Sequence, residues 1–347
     1  MPGMKRTVLV LAIAALVVAA TAGAAVWQAN RFMASPVSVP DDGTLFEISP
    51  GSSFAAVTGK LVAAGIIGDD FWFRLHARLT GEASGIQAGE YFIEAGATPQ
   101  TLLEQFTRGS VQLYSFTIVE GWNQRDVLQA LQGHEAIVVS MTDEDWPALL
   151  EEIGAPVMHP EGLFLPETYR FPRNTTDRQL LSQAFKLMQD VLDEEWQGRG
   201  ADAPVKTPYE ALILASIVEK ETARADERPR IAGVFARRLD KGMRLQTDPT
   251  VIYGVGPGFD GNLTRKHLQT DTPYNTYRRG GLPPTPIAMP GRAAINAVLH
   301  PAEGDELYFV ATGLDDGSHQ FSVTKAEHDA AVAEYLRRLR KKRREGG

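Results

Sequence analysis

The sequence predicts an α+β protein with three parts: an N-terminal transmembrane helix, a small α/β module and a larger mixed α+β domain. Three observations support this prediction. An apolar run fills residues 8–27, strand and helix patterns alternate three times between residues 45 and 131, and the chain from residue 161 combines one strongly apolar helix with polar segments interrupted by Pro and Gly. The expected boundaries are 1–28 for the N-terminal stub and transmembrane helix, 29–43 for a linker, 44–120 for the module, 121–160 for a helical connector, 161–336 for the larger domain and 337–347 for a basic tail.

Composition and charge exclude several classes of protein. With 347 residues, 44% of them hydrophobic and 22% charged, the chain is long enough for about two globular domains and is neither disordered nor collagenous. The absence of cysteine excludes disulfides, thiolate metal sites and a thiol nucleophile. The tail 337–347 holds seven basic residues and one acid, so the rest of the chain has 28 basic and 42 acidic residues. This acidic body argues against nucleic acid as a partner.

The N-terminal segment indicates the compartment. Lys5 and Arg6 precede an uncharged segment whose apolar core, Val8 to Trp27, can cross a bilayer as a helix. The charges ahead of the helix favour a cytoplasmic N-terminus, with the remaining chain outside the cytoplasm. A cleaved signal peptide is the alternative, because Ala20-Thr21-Ala22 resembles a cleavage site. We favour the uncleaved anchor, since the apolar run continues beyond that site.

The basic tail is expected to follow a helix into solvent, with contact to an anionic surface as the alternative.

The small module is expected to repeat a strand–helix unit. Strands are predicted at three places: Leu45–Ile48, Gly89–Ile93 and Tyr114–Val119. Hydroxyl and amide side chains that can cap helices follow them: Ser52 or Ser53, Thr98 and Asn123. Such units resemble LysM-type glycan-binding modules, and a plain α/β spacer is an equally good interpretation.

One helix in the larger domain carries the main catalytic candidate. Thr207-Pro208-Tyr209-Glu210 has the pattern of a capping box and opens the apolar segment 211–223. Glu219 shares a stripe of this helix with the small residue Ser216, so a ligand has room to approach, and an apolar setting raises the pKa of a carboxyl, as a general acid requires. The alternative is a surface ion pair at an exposed helix end. Glu221 lies on another face and is expected to point outward.

Three polar segments are candidates for substrate contact, because Gln, Asp and Tyr side chains hydrogen-bond sugar hydroxyls and Tyr stacks on pyranose faces. The segments are 246–254, 271–277 and 161–169. In the segment 246–254, Thr250-Val251-Ile252 suits a strand, and an ordinary loop capped by Asp248 is the alternative. In the segment 161–169, strand alternation would put Glu161 and Glu167 on one side, where either could face a cleft. The candidate residues are Glu161, Glu167, Gln246, Asp248, Asn275 and Tyr277.

Other chemistries find no support in the sequence. It contains no Walker-type or dinucleotide-binding glycine motif, no H-E-x-x-H and no G-x-S-x-G, and its seven histidines are scattered. We therefore expect neither a metal nor another cofactor. What remains is a carboxylate-centred site for a sugar substrate outside the cytoplasm.

At these residues the sequence resembles the MltG (YceG-like) endolytic murein transglycosylases. The resemblance covers nearly the whole chain, and its motifs keep their order: 161–169 (EGLFLPETY), 215–223 (ASIVEKETA), 244–254 (RLQTDPTVIYG), 273–277 (PYNTY), 281–284 (GLPP) and 307–310 (LYFV). It implies that Glu219, the first glutamate of E-K-E-T, is the catalytic residue.

The resemblance also implies an activity and a location. The enzyme would be a lyase of the inner membrane with a periplasmic catalytic domain. It would cleave the β-1,4 bond between N-acetylmuramic acid and N-acetylglucosamine in nascent peptidoglycan, giving 1,6-anhydro ends and terminating glycan elongation. Peptidoglycan synthases are the implied protein partners.

A lytic transglycosylase needs only one acid/base group. The carboxyl protonates the leaving oxygen and then deprotonates the C6 hydroxyl of the same sugar, which attacks C1 without water, so a tethered nucleophile replaces a second carboxylate. Two alternatives remain open. One is a muramidase-type hydrolase that uses Glu219, water and a second carboxyl from Glu161, Glu167 or Asp248. The other is a membrane-anchored glycan-binding or scaffold protein in which catalysis is secondary or absent.

Overall fold

The protein has the predicted mixed α+β architecture, with one long apolar helix at its N-terminus. The computed structural model describes residues 2–345, and the side chains of residues 6–342 and 344. Lys5, Arg343 and Glu345, whose charges were counted from the sequence, are not among the residues whose side chains are described. The chain forms two compact units. The first holds the chain up to Tyr114 and the segment Arg170–Asn174, and the second holds Ser115–Tyr169 and the chain from Thr175 onward.

The first unit begins with α1, Pro2–Ala34. Its part Arg6–Ala34 contains an 18-residue stretch with a mean hydropathy of 2.6 and is long enough to cross a membrane. Apolar side chains along it are exposed, including Leu16 at 72%. The helix continues beyond Trp27 through residues assigned above to a linker, and Met33 is buried in the core of the unit.

The remaining elements of the first unit alternate between helix and strand. Strands β1 and β2 pair antiparallel with Phe46 opposite Tyr91, and both of these side chains are buried. The hydroxyls of Ser53 and Thr98 accept backbone N–H groups and cap α2 and α4, as expected. The likeness to a LysM module stays a prediction. The elements are β1 (Thr44–Ile48), α2 (Phe54–Ala63), α3 (Phe71–Thr80), β2 (Gly89–Ile93), α4 (Pro99–Arg108) and β3 (Leu113–Thr117).

The second unit is mainly helical, with short two-stranded pairings. Within it, β4 pairs with β6 in parallel and β7 with β8 antiparallel. The elements are α5 (Gln124–Gln132), β4 (Ile137–Val138), α6 (Trp146–Glu152), β5 (Thr168–Pro172), β6 (Thr175–Thr176), α7 (Asp177–Gln197), α8 (Pro208–Glu221), α9 (Arg228–Asp240), α10 (Asp248–Val255), α11 (Arg265–Gln269), α12 (Arg292–Leu299), β7 (Tyr308–Ala311), β8 (His319–Ser322) and α13 (Lys325–Glu345).

Helix α8 is the central element of this unit. Its residues 211–218 are all buried, and it packs against α7, α9, α10 and α12. The hydroxyl of Thr207 caps the helix by accepting the N–H of Glu210. The Glu210 carboxylate accepts the N–H of Lys206 at 2.6 Å, one residue earlier than a capping box requires. The predicted start of the helix is thus confirmed through a shifted version of the motif.

The strand expected at residues 250–252 is wrong, because these residues lie within α10. Thr247 is the N-terminal cap residue, Asp248 lies in the first turn and Pro249 follows it. An acid and a proline in the first turn favour a helix, and here they outweigh the β propensity of Thr, Val and Ile.

The burial of α8 predicts a large effect of truncating its side chains. Leu214 is fully buried, so Leu214→Ala should lower the free energy of unfolding by about 2–5 kcal/mol. Urea unfolding of the full chain would measure this. Leu336→Ala in α13, where the side chain is 42% exposed, is the matched control and should change stability far less. Equal effects of the two substitutions would contradict the central position of α8.

Candidate active site

Glu219 lies in the last turn of α8 with its side chain only 5% exposed. Arg228 Nη2 donates to one carboxylate oxygen at 3.0 Å, and the backbone N–H of Gly291 donates to the other at 3.0 Å. Both oxygens therefore have charged or backbone donors. The ion pair that the sequence allowed as an alternative is present, but it is buried and does not lie on the surface.

Burial raises the pKa of Glu219 above its usual value. The Gly291 N–H and the positive charge of Arg228 oppose this shift, and the nearby negative charge of Glu120 adds to it. The carboxyl therefore holds a proton at higher pH than an exposed glutamate does, as a general acid requires.

The small residues on the stripe of Glu219 are used for backbone packing. Ala215 and Ser216 are fully buried. The Ser216 hydroxyl donates to Ile213 O at 2.7 Å and accepts the N–H of Ile287 at 2.9 Å. The expectation that these small residues leave room for a ligand is therefore wrong. They let the segment 287–291 approach α8, and this approach brings the Gly291 N–H to Glu219.

A second segment, residues 119–122, closes the other side of the helix end. Lys220 Nζ donates to Gly121 O at 3.0 Å. The backbone of this segment pairs with Met289, which accepts the N–H of Gly121 at 2.9 Å and donates to Trp122 O at 2.7 Å. Two segments more than 160 residues apart in sequence thus meet beside Glu219.

Sequence reasoning missed two residues of this site, Arg228 and Glu120. Arg228 Nη2 also lies 3.4 Å from a Glu120 carboxylate oxygen, so one guanidinium contacts two carboxylates. The Glu120 side chain is 47% exposed, whereas that of Arg228 is 11% exposed. A Cβ at Gly291 would come within 2.0 Å of Glu120 Oε1, so the carboxylate lies directly over this glycine. Only Gly at position 291 allows this close approach.

The structure separates Glu161 from Glu167. Glu161 is fully buried and accepts the N–H of Gln124 at 3.0 Å and the hydroxyl of Tyr253 at 2.9 Å. Glu167 is exposed and accepts the N–H of Thr168. The prediction that strand alternation puts them on one side is wrong, since residues 161–167 are not a strand. Gly162, at a φ of +79°, breaks the extended conformation.

Burial raises the pKa of Glu161 to about 8, against the opposing hydrogen bonds from Tyr253 and Gln124. The carboxyl is therefore mainly protonated at neutral pH. The Glu161 carboxyl contacts Gln124, the first residue of α5, which closely follows the segment 119–122 in the chain. It supports that segment through the Gln124 N–H and has no surface with which to contact a substrate.

Three predicted substrate residues do come together: Gln246, Asp248 and Tyr277. They line a cavity of about 500 Å³ together with Tyr308 and His328, among others. The Tyr277 hydroxyl donates to Asp248 Oδ1 at 2.6 Å, while Gln246 and Asp248 are exposed. The cavity therefore presents carboxylate, amide and hydroxyl groups beside aromatic rings, a combination that suits a sugar.

Glu221 also lines this cavity, so the expectation that it points outward is wrong. Its carboxylate accepts a hydrogen bond from the Thr247 hydroxyl, and burial raises its pKa to about 7. The residues around Glu221 in the chain do not indicate this, because the segment that covers Glu221 begins 25 residues later.

Asn275 is fully buried, and its amide is used within its own loop. Its Nδ2 donates to three backbone carbonyls, and its Oδ1 accepts the N–H of Tyr277 at 2.9 Å. Direct substrate contact by Asn275 does not fit this burial. Asn275 instead fixes the loop that carries Tyr277.

The second unit also holds a cavity that the predicted site residues do not line. A cavity of about 1170 Å³ is lined by Lys206, Arg237 and Glu303, among others, and by none of the predicted site residues. Within the described residues, no group of three His, Asp or Glu side chains is arranged to hold a metal ion.

Comparison with known proteins identifies the family. Residues 46–334 match the sequence profile of the YceG-like family. The chain belongs to this family. Among its relatives, an endolytic murein transglycosylase of Bacillus subtilis is 30% identical, over 88% of this chain and 89% of that protein. One of Streptococcus pneumoniae is 28% identical, over 83% of this chain and 58% of that protein. A yceG-like protein of known structure from Listeria monocytogenes is 26% identical and covers 84% of this chain and 99% of that one, with a TM-score of 0.48.

The raised pKa of Glu161 predicts a specific pH dependence of stability. A carboxyl whose pKa is raised on folding destabilises the native state as pH rises from the unfolded pKa to the folded one, here from 4.5 to about 8. Glu161→Gln keeps the size of the side chain and one acceptor oxygen, its NH2 group can donate to the Tyr253 hydroxyl, and the titration is removed. Between pH 5 and pH 8, wild-type protein should lose up to about 4 kcal/mol of unfolding free energy that the variant retains.

Denaturant unfolding at the two pH values would measure the difference. The exposed Glu167→Gln is the matched control and should follow wild type at both. The same loss of stability in Glu161→Gln as in wild type would exclude Glu161 as the titrating group.

Proposed function

We propose that this YceG-like protein is an endolytic murein transglycosylase, a lyase that cuts within peptidoglycan strands and leaves 1,6-anhydro-N-acetylmuramic acid ends. The observation that carries the proposal is the buried Glu219 carboxyl with its raised pKa, held by Arg228 and the Gly291 N–H. The names of the Bacillus and Streptococcus relatives support the same activity.

The surroundings of Glu219 suit both halves of the reaction. Burial favours the protonated carboxyl, which donates its proton to the glycosidic oxygen as the bond to C1 of N-acetylmuramic acid breaks. The carboxylate that this step leaves is stabilised by Arg228 and by the Gly291 N–H. It then accepts the proton of the C6 hydroxyl, whose oxygen forms the new bond to C1. One carboxyl returns to its protonated state without water.

The cavity lined by Gln246, Asp248 and Tyr277 is the proposed place for sugar units of the strand. Asn275 and Glu161 would act indirectly, because the first fixes the loop of Tyr277 and the second holds the Gln124 N–H. Glu167, exposed just ahead of β5, stays a candidate for contact with a more distant part of the strand.

Glu120 favours a second candidate function, hydrolysis by two carboxyls. It shares Arg228 with Glu219 and is exposed enough to contact a water molecule. It replaces two of the earlier candidates for a second carboxyl, since Glu161 is buried and Glu167 bonds to its own backbone neighbour. The third, Asp248, lies in the cavity and accepts the Tyr277 hydroxyl. The product distinguishes the two functions, because a hydrolase leaves reducing ends and a transglycosylase leaves anhydro ends.

The proposed location is the inner membrane, with α1 as a single-pass anchor, the N-terminus in the cytoplasm and the catalytic unit in the periplasm. The length and hydropathy of residues 6–34 support the anchor. An anchored enzyme reaches glycan close to the membrane, where new strands are made, so we propose that it terminates glycan elongation beside peptidoglycan synthases. The first unit, if it is LysM-like, would contact the glycan.

Removal of the acid/base group should abolish cleavage. Glu219→Gln in the full chain is expected to release at least about 10²-fold less product from purified peptidoglycan. Mass spectrometry of the released fragments would show internal pieces with 1,6-anhydro ends from wild type. Glu151→Gln, at an exposed position of α6, is the control and should cleave normally. Anhydro products from Glu219→Gln at the wild-type rate would exclude this residue as the acid, and glycan binding without cleavage by either protein would favour a scaffold.

Glu120→Gln separates the two candidate reactions. The Glu120 charge raises the pKa of Glu219, so its removal should lower that pKa. Because the acid must be protonated, the loss of kcat/KM at high pH should begin at a lower pH, while the products keep anhydro ends. A pH–rate profile with end-group analysis would measure both effects. Reducing ends in wild type and complete loss of activity in Glu120→Gln would establish the hydrolase instead.

A further inference from the structure

Helix α3 has two apolar faces, and only one of them is covered. Phe73 and Ala77 are fully buried in the core of the first unit. Phe71, Leu75 and Leu79 follow one another at intervals of four residues and lie on the opposite side of the helix. Phe71 is 57% exposed and Leu79 is 78% exposed. We call Phe71, Leu75 and Leu79 the outer stripe.

The outer stripe belongs to the helix that packs against α1. Phe32 and Met33, in the last turn of α1, enter the same core as Phe73. Trp27 is 61% exposed, and the guanidinium of Arg31 lies 5.5 Å from the centre of its ring. An exposed Trp beside an Arg at the end of an apolar helix is typical of the membrane–water interface.

The distance between this interface and the core of the unit is short. Trp27 and Met33 are six positions apart, which is about 9 Å along a helix. The headgroup region on one side of a bilayer is about 5–8 Å thick. With α1 across a bilayer and Trp27 at its interface, the core of the first unit would begin at the outer edge of the headgroup region, within reach of α3.

The charges beside the outer stripe are basic. Arg74 and Arg78 are both exposed on its flank. Arg74 lies 3.5 Å from Asp70, an exposed pair that contributes little to stability. A groove of about 460 Å³ adjoins the stripe and is lined by Phe54, Ala55, Asp70, Phe71, Arg74, Leu75, Arg78 and Ala83. Apolar residues flanked by arginines are the pattern of helices that lie in the headgroup layer of anionic membranes.

We propose that the outer stripe of α3 lies in the surface of the anionic phospholipid bilayer that holds α1, with Arg74 and Arg78 at the lipid phosphates. The proposal rests on α1 being the membrane anchor, as put forward above. It assigns α3 a second contact with the membrane, beside the anchor. Together the two contacts fix the orientation of the first unit on the membrane surface.

The absence of cysteine allows a direct test in the full chain, because one introduced cysteine takes a label at one site. Leu79→Cys would carry a nitroxide in protein reconstituted into nanodiscs that contain phosphatidylglycerol. Electron paramagnetic resonance measures its collisions with oxygen, which concentrates in lipid, and with a water-soluble nickel chelate. Leu113→Cys, 48% exposed in the same unit, is the matched aqueous control.

We expect the label at position 79 to collide mainly with oxygen and the label at position 113 mainly with nickel. Adding Arg74→Gln and Arg78→Gln should shift the label at 79 toward nickel. Nickel collisions at 79 as frequent as at 113 would overturn the proposal and leave the outer stripe for a protein partner.

A third label, at Leu16→Cys within α1, tests the anchor independently of the proposed surface contact. If it contacts lipid while position 79 contacts water, the anchor stands and the proposed surface contact fails; if it contacts water, the anchor itself fails.

Discussion

The second unit depends on one interaction, the ion pair of Glu219 and Arg228 at the end of a buried helix. A carboxylate that loses its water is unfavourable unless donors replace that water. Here one guanidinium and one backbone N–H do so, at 3.0 Å each. Because the two donors come from α9 and from the residue before α12, both elements must be in place before the carboxylate is satisfied. The chemistry of the site and the packing of α8 are thus set by the same contacts.

The segments 119–122 and 287–291 pack against the end of α8 from two sides, beside Glu219. Their backbones hydrogen-bond to each other, so neither is a free loop despite the absence of regular secondary structure. Small residues make the meeting possible, since Ser216 accepts the Ile287 N–H and Gly291 lies beneath Glu120. A site built in this way holds its groups in position through contacts of the fold itself, and such preorganisation favours a transition state over a substrate.

Features carried by local sequence could be predicted, and features carried by distant contacts could not. The start of α8, the caps at Ser53, Thr98 and Asn123, and Glu219 itself each have a pattern within a few residues. Glu120 and Arg228 have none, because each matters only through a partner from another part of the chain. Residues 250–252 and Glu161 mark a different limit. There β propensity and alternation pointed to strands, and a proline in the first turn and a glycine at positive φ decided otherwise.

The way α1 ends has a consequence for how freely the first unit can move. The helix does not lead into a flexible tether, because Met33 is already part of a packed core. With α1 as the proposed membrane anchor, such a rigid joint would let the first unit diffuse and rotate with the lipid but would restrict its tumbling. A protein confined in this way would diffuse in two dimensions, so it would meet other membrane-bound proteins in a fixed orientation. The encounter rate would then follow lateral diffusion and surface density, and dilution of the surrounding solution would leave it unchanged.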